Sequence, residues 1–452
     1  MEDKRESNHN DDHARYRSVW RWHFYAGLFV TPFLVILAVT GGIYLFKPQI
    51  EASLYKDYYE VEASWERQAA SEQLALVRAE YPEAAITTYR PGEDEARSSE
   101  VGIATEEGSA TVFVDPYKNE IIGDLNADDR IMNKLEEIHG ELMAGTVGDR
   151  IVELAASWTI VLVVTGLFLW FPRKKRPYGS FLPKRKANKS VRRRDLHAIP
   201  AFWIAGGMFF LIITGLPWSG FWGNNFQLLA TNTGVGYPPS TWLGSAPESI
   251  TKTEDIADVP WAAEKMEVPE SEVVQGFVPL NVDEMVEIAE QQNIHPTYTI
   301  SLPAEKTGVV TLSAYPPRAQ DEFTIHLDQY SGAVLADYRF DNYGTVAQAV
   351  AMGITLHKGS QFGLPNQLFS LLICMGIVFV ALSGFYLWYK RKPNRGMGAP
   401  KGLSARKVRW FFIALIILGL IFPLVGVSLL VVWVIDRFLI QRIPPLKKFL
   451  NA

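Results

Sequence analysis

Five apolar runs, near residues 24–46, 151–171, 199–217, 367–389 and 410–438, constrain this 452-residue chain more than any other feature. Each of the first four has about the length a helix needs to cross a ~30 Å hydrocarbon layer. Such a chain must fold in a bilayer, where only helices or closed barrels satisfy every backbone N–H and C=O. The first run follows a polar stretch of more than twenty residues, and Lys47-Pro48-Gln49, not a small-residue cleavage site, comes after it. It therefore reads as a retained span and not as a secretory signal.

The charges between the runs predict an orientation. Residues 172–196 hold eleven Lys/Arg and one acid, Asp195, and residues 390–409 hold eight Lys/Arg and no acid. Short basic loops stay in the cytoplasm, which predicts a multi-pass cytoplasmic (inner) membrane protein with its N-terminus inside. The connections 47–150 and 218–366 then lie outside; residues 51–150 carry 23 acids against 9 bases. Gly419, Pro423 and Gly426 interrupt the fifth run. One tilted span and a short hairpin both fit it, and the side on which the C-terminus lies is left open.

An internal repeat organises the chain. His139 and Trp170 are 31 residues apart, as are His357 and Trp388, and Thr165-Gly166 in the first segment matches Ser383-Gly384 in the second. His23 precedes Thr40 by 17 residues, and His197 precedes Thr214 by the same number. The outer regions repeat too. Val114-Asp115-Pro116-Tyr117-Lys118-Asn119-Glu120 resembles Leu327-Asp328-Gln329-Tyr330-Ser331-Gly332-Ala333, each reading as strand, tight turn and strand, with Asn119 and Gly332 at the left-handed position. Helical patterns at 69–80 and 282–292 precede them. The expected architecture is an α-helical membrane bundle built from a tandem repeat, four core spans plus a C-terminal apolar segment, with two extracytoplasmic α+β modules. The expected order is a tail (1–22), span 1 (23–46), outer module 1 (47–138), a histidine turn with span 2 (139–171), a basic loop (172–196) and span 3 (197–217). Outer module 2 with an insertion (218–356), a histidine turn with span 4 (357–389), a second basic loop (390–409) and the apolar C-terminal segment (410–452) complete it.

The repeat also places four histidines. His23 and His197 open outward-going spans, and His139 and His357 precede inward-going ones, so each membrane face receives one pair. Two facing neutral imidazoles are the axial set of a six-coordinate haem. This predicts two haem b groups, one on His23 and His197, the other on His139 and His357, with these histidines as both cofactor-binding residues and iron ligands. Gly27 and Ala201, four residues after His23 and His197, leave room for a flat macrocycle. The glycines after His139 and His357 put each outer histidine on a turn or short helix separate from its span. A zinc or copper pair at each face is the rival metal reading. The single cysteine, Cys374, excludes an intrachain disulfide framework and a thiolate cluster, and without Cys-x-x-Cys-His there is no covalent haem attachment.

Other residues have plainer readings. The Thr/Ser-Gly pairs at 40–41, 165–166, 214–215 and 383–384 fit close helix packing. Trp170 and Trp388 fit interface anchors, and Trp218 and Trp222 fit an aromatic belt as well as a shield for the outer haem. His295 and His326 read as solvated and without partners, and His9 and His13 as part of a disordered, charged N-terminus. No buried acidic or basic residue is expected to interrupt the first four spans, which argues against an ion or siderophore transporter.

From about residue 15 to 395 the chain resembles the PepSY-associated transmembrane proteins. The residues that carry the resemblance are His23 with Thr40-Gly41-Gly42, His139-Gly140 with Thr165-Gly166-Leu167-Phe168-Leu169-Trp170, His197 with Thr214-Gly215-Leu216-Pro217-Trp218, and His357 with Ser383-Gly384-Phe385-Tyr386-Leu387-Trp388. The turns Asp115-Pro116-Tyr117 and Asp328-Gln329-Tyr330-Ser331-Gly332 are similar to PepSY turns, though Asn119 stands where glycine is usual. That family includes iron-regulated membrane proteins and haem-bearing ferric-siderophore reductases, so the resemblance implies electron transfer to an external ferric-siderophore or other metal complex.

On this reading electrons pass from the cytoplasmic haem to the outer one, and no single residue is assigned as catalytic. No Rossmann glycine fingerprint occurs and the basic loops are too short for a flavin or nicotinamide domain, so the donor is separate, a membrane quinol or a soluble reductase. The lipid bilayer is the other expected partner, and no nucleic acid is. The alternative is a non-enzymatic PepSY membrane anchor or regulator that binds a peptide or protease.

Overall fold

The computed structural model describes residues 2–106, 108–171, 181–182, 188–233, 235–236, 251–273, 276, 278–393, 396–400 and 409–451. Much of the basic loop 172–196, residues 401–408 of the second basic loop and part of the insertion after residue 236 fall outside them. In chain order the helices are α1 (Glu2–Tyr44), α2 (Lys47–Leu54), α3 (Lys56–Tyr59), α4 (Ala70–Glu80), α5 (Ile131–Glu141), α6 (Gly145–Trp170), α7 (Lys189–Gly215) and α8 (Trp222–Asn232). They continue with α9 (Trp261–Glu264), α10 (Val282–Gln291), α11 (Thr345–His357), α12 (Leu364–Arg391), α13 (Arg409–Ile421), α14 (Pro423–Phe438) and α15 (Pro444–Leu450). The strands are β1 (Ala85–Arg90), β2 (Ser99–Thr105), β3 (Gly108–Asp115), β4 (Glu120–Asn126), β5 (Thr299–Ser301), β6 (Val309–Ala314), β7 (Phe323–Asp328) and β8 (Val334–Arg339). The chain divides into a helical unit (Met1–Ile43, Glu136–Asn224, Leu368–Ala452) and a sheet unit (Tyr44–Leu135, Asn225–Gln367).

The helical unit makes this a membrane protein. Ala14–Tyr44, Gly145–Trp170, Lys189–Trp218, Leu364–Arg391 and Pro423–Arg442 are each long and apolar enough to cross a bilayer. Without a hydrophobic drive between helices in lipid, close approach at small residues holds such a bundle. The α7–α12 contact shows this reciprocally: Gly207 faces Ile373, and Gly376 faces Ile204. Gly42 receives Cys374 and Leu371, and Gly27 lies against Leu162. The first helix begins at Glu2, well before its apolar run. The N-terminus read as disordered is thus helical, since no glycine or proline interrupts its charged, helix-favouring residues before Gly27.

The fifth run is a hairpin. Phe422 leaves the helical region, with φ −118 and ψ 87, and Pro423 starts the second arm. Gly419 and Gly426 let the arms touch: a Cβ on Gly419 would stand 2.9 Å from the Gly426 Cα. At the tip, Trp222 Nε1 donates to Ile421 O at 2.9 Å. The far end returns to the start of the first arm, where Met397 N donates to Phe449 O at 2.9 Å. Asn451 Nδ2 donates to Ala399 O at 2.7 Å. Arg21 Nη1 holds Pro400 O and Asn451 O at 2.7 and 2.8 Å. The C-terminus therefore lies at the end of the helical unit that carries residues 396–400.

The sheet unit contains one eight-stranded antiparallel sheet, ordered β4-β3-β2-β1-β5-β6-β7-β8. Where the sequence predicts two modules, the strands form a single sheet. The seam is β1 against β5, with Thr88 opposite Ser301 and Tyr89 opposite Ile300. Both outer hairpins are built alike. Asp115 Oδ1 accepts from the N–H groups of Tyr117 and Lys118, and Asp328 Oδ1 from those of Tyr330 and Ser331. Asn119 and Gly332 take the left-handed turn position, at φ 53 and φ 70. Irregularities fall at matching points, between Phe113 and Val114 and between His326 and Leu327. Helices α4 and α10 share one core with both halves, in which Leu74, Val77, Val101 and Val112 join Met285, Ile300, Leu312 and Ile325. Asn281 starts α10 in a reciprocal cap with Glu284.

That sheet corrects the reading of His326. It is fully buried and hydrogen-bonded, with Nδ1 3.0 Å from Thr311 Oγ1 and Nε2 3.4 Å from Thr253 Oγ1. Burial lowers its pKa to about 3, so it is neutral. It occupies the place that Phe113 takes in the other half, an interior position in a strand whose six residues are all buried. His295 also has a partner, since its Nδ1 lies 2.8 Å from Thr297 Oγ1.

Candidate functional site

Three of the four predicted histidines belong to the helical unit, and each is seated against a Thr/Ser-Gly pair. His23, on α1, meets Thr165-Gly166 of α6: Nδ1 lies 2.9 Å from Thr165 Oγ1, and a Cβ on Gly166 would come within 3.2 Å of His23 Cε1. His139 meets Thr40-Gly41 of α1: Nδ1 lies 3.0 Å from Thr40 Oγ1, and a Cβ on Gly41 would stand 2.9 Å from His139 Cε1. His197, on α7, meets Ser383-Gly384 of α12: Nδ1 lies 3.0 Å from Val380 O and 3.3 Å from Ser383 Oγ, and a Cβ on Gly384 would stand 3.1 Å from His197 Cε1. Three of the four pairs read as helix packing, those at 40–41, 165–166 and 383–384, are thus sockets for imidazoles. Each glycine lets a ring lie against a helix, and the hydroxyl of the preceding residue, or a carbonyl one turn back, grips Nδ1.

These contacts settle the tautomers by donor accounting. A backbone carbonyl cannot donate, so His197 Nδ1 carries the proton. Thr165 Oγ1 already donates to Val161 O at 2.6 Å, and Thr40 Oγ1 to Ile36 O at 2.8 Å. Each hydroxyl has one hydrogen and has spent it, so each accepts from its histidine. All three rings are Nδ1–H tautomers with the lone pair on Nε2, the form in which imidazole ligates a metal while its other nitrogen is held in place. Burial keeps the His139 imidazole below its ordinary pKa, in the neutral state a ligand requires.

His23 and His197 approach closely enough for a charge on one to act on the other. They come from different halves of the chain, each on its own helix, and the structure brings them together within the helical unit. His139 ends the short helix α5, which Leu142 and Met143, both at positive φ, separate from α6. His357 is the last residue of α11 in the sheet unit, and Gly359 and Gly363, at φ 77 and φ 61, separate it from α12.

A porphyrin supplies four nitrogens to its iron, so a protein need bring only two axial ligands. Among the described residues no group of three or more His, Cys, Asp or Glu is disposed to hold a metal ion. A bare zinc or copper site needs about that many. The His23/His197 pair, with both Nδ1 atoms engaged and glycine beside each ring, fits an axial pair.

Two features escaped the sequence reading. Glu153 is a buried acid within the second span, 2% exposed, which corrects the expectation that none interrupts spans one to four. Its Oε2 accepts from the N–H groups of Phe221 and Trp222, both at 3.0 Å, and Asp149 Oδ1 accepts from Gly220 N at 2.9 Å. These acids satisfy backbone donors of the turn before α8, which a window of mean hydropathy does not register. Trp222 donates into the hairpin tip and Trp388 Nε1 donates to Met397 O at 3.0 Å, so both are tied into the fold as well as lying at span ends.

A family model described as the PepSY-associated TM region matches residues 20–391. That stretch contains all four histidines and every socket described above. A comparison with the curated proteins found no match.

Proposed function

Because this chain belongs to the family defined by the PepSY-associated TM region, a membrane family, we propose that it is a di-haem b-type transmembrane electron-transfer protein that reduces an extracytoplasmic ferric complex, such as a ferric siderophore. His23 and His197 would hold one haem and His139 and His357 the other. Bound haem supplies a one-electron couple at each face of the bilayer. The observation that carries the reading is the shared Nδ1–H tautomer of His23, His139 and His197, each ring gripped on one nitrogen and presenting Nε2.

Spacing supports two sites. His23 and the His139 socket at Thr40 lie 17 residues apart on the continuous helix α1, about 25 Å at ~1.5 Å per residue, close to the thickness of a hydrocarbon core. The second half of the outer pair rests on the tandem repeat in the sequence, which matches His357 to His139. The basic loops support placing the His23/His197 end in the cytoplasm and the sheet outside, in a cytoplasmic membrane. The donor is then a quinol or a soluble reductase at that inner end. The chain's own residues orient the rings, exclude water from them and fix their protons on Nδ1.

The test is the visible spectrum and haem stoichiometry of the purified chain. Two haems per chain with bis-imidazole α/β bands are expected. H23A and H197A should each lose the same single haem, and H139A and H357A the other. A colourless protein from haem-replete cells, or four single variants with full haem, would overturn the proposal and leave the membrane anchor reading.

A further inference from the structure

The three sockets are not equivalent, and the difference has a consequence for the two cofactors. His23 donates to the Thr165 hydroxyl at 2.9 Å, whereas His139 has the Thr40 hydroxyl at 3.0 Å and a main-chain partner at Leu37 as well. His197 donates to a main-chain carbonyl, Val380 O, at 3.0 Å, with Ser383 Oγ beside it at 3.3 Å. Both threonine hydroxyls bond the carbonyl four residues back, at 2.6 Å for Thr165 and 2.8 Å for Thr40. Ser383, without a β-methyl group, turns its hydroxyl to the carbonyl three residues back, Val380 O, at 3.0 Å. That same carbonyl is the one His197 reaches.

We infer that Thr165 is a positioning residue that sets the electron affinity of the haem held by His23, whereas Thr40 and Ser383 are dispensable because the main chain at Leu37 and Val380 also holds His139 and His197. The inference rests on the di-haem reading above. A hydrogen bond from Nδ1–H feeds electron density into the ring and makes Nε2 a stronger donor to iron. Stronger donation favours the ferric state, so loss of that bond moves the reduction equilibrium toward the ferrous state. The sockets are crossed: the first span grips the histidine before the second, and the second span grips the histidine of the first. Thr165 therefore acts at the opposite end of its helix pair from His139.

The experiment is a reductive titration of the full-length protein in nanodiscs, followed optically, with ferric-state electron paramagnetic resonance and haem stoichiometry as independent readouts. T165V should keep two haems and shift the midpoint of one upward by about tenfold in the reduction equilibrium, ~59 mV for one electron. T40V should leave both midpoints in place, because the main chain at Leu37 also holds His139. T165S, which restores a hydroxyl, should return the midpoint toward that of the unmodified protein. S383A should move neither midpoint by more than a small fraction of the T165V shift. The inference is overturned if T165V leaves both midpoints in place, or if T40V or S383A equals T165V. Parallel H23A and H139A samples separate the two levels. Loss of one haem in each, with a silent T165V, refutes the positioning role alone. Full haem in H23A and H139A refutes the di-haem reading itself.

Discussion

Thr165 and His23 stand 142 residues apart in the chain, yet the Thr165 hydroxyl lies 2.9 Å from His23 Nδ1 and holds that proton in place. The glycine that follows Thr165 eases the approach, because a Cβ there would press on the ring at 3.2 Å from His23 Cε1. The same logic recurs at Thr40-Gly41 and Ser383-Gly384, and it gives the bundle sites whose shape depends on the absence of single carbon atoms.

Adding those atoms should expel haem in a graded way. A Cβ at Gly41 would stand 2.9 Å from His139 Cε1, against 3.1 Å at Gly384 and 3.2 Å at Gly166 for their histidines. A ring fixed by Nδ1 on one side and iron on the other cannot swing away. G41A should lower affinity for its haem about tenfold or more, with G384A and G166A milder. Haem per chain, measured by the pyridine haemochrome spectrum, reads the order. Equal, full occupancy in all three variants would show that the rings have room to spare.

Glu153 is expected to be structural. Its carboxylate accepts two backbone N–H groups, so E153L leaves both partly buried donors without that acceptor, at a cost of up to about 1–3 kcal/mol each. E153Q keeps an acceptor oxygen and should lose less than half as much. Thermal unfolding in nanodiscs, followed by tryptophan fluorescence, compares them. If E153Q instead abolished electron transfer without lowering the melting temperature, the residue would be acting in proton movement.

The sheet unit contains two groups that titrate in opposite senses. His326 has its pKa lowered by burial to about 3, from 6.5, so the unfolded chain takes up a proton first as pH falls. Its stabilising contribution is complete above pH 6.5 and declines from there toward pH 3, at up to ~1.4 kcal/mol per pH unit. Glu322 is raised by burial to about 8, from 4.5, with Lys358 opposing the shift. Its contribution is complete below pH 4.5 and is lost as pH rises through 8. H326F, which copies Phe113, should flatten the acid limb of a melting-temperature profile between pH 6.5 and 4. E322Q should raise the melting temperature at pH 8 more than at pH 5. Unchanged pH profiles in both variants would contradict these assignments.

The hairpin predicts sidedness at the C-terminus. Asn451 and Ala399 are hydrogen-bonded neighbours, so single cysteines at 399 and 451, in a C374A background, should label from the same side of sealed vesicles. G419L, which forces the arms apart at Gly426, should weaken the bond between Met397 and Phe449 and make position 451 label faster. Labelling of 399 and 451 from opposite sides would rule out the hairpin.

Much of this was readable in the residues. Four of the spans emerge from hydropathy alone, because crossing a bilayer leaves a run of apolar residues that nothing else requires. Asn119 and Gly332 announced their turns because a left-handed backbone admits few residue types. The histidines stood out through their spacing, and the pairing of His23 with His197 across two halves followed from topology. The sockets were visible as Thr/Ser-Gly pairs but carried an alternative meaning, since small residues serve helix packing equally well; only the folded chain shows that a ring fills the notch. His326 was misread because a polar residue in a strand looks solvated until the layer covering its face is known, here through Thr253 and the chain around it. The continuous sheet was missed because the seam uses two residue pairs, too few to leave a pattern.

That seam has a further consequence. Its two strands are the inner edges of two similarly ordered four-stranded halves, and they run antiparallel, the arrangement that a two-fold rotation produces. A polypeptide carrying only β1 to β4 would leave the backbone donors and acceptors of β1 exposed, an invitation to self-association. Expressed alone, such a half is expected to dimerise through that border or to aggregate, and supplying the complementary half in trans should rescue its solubility.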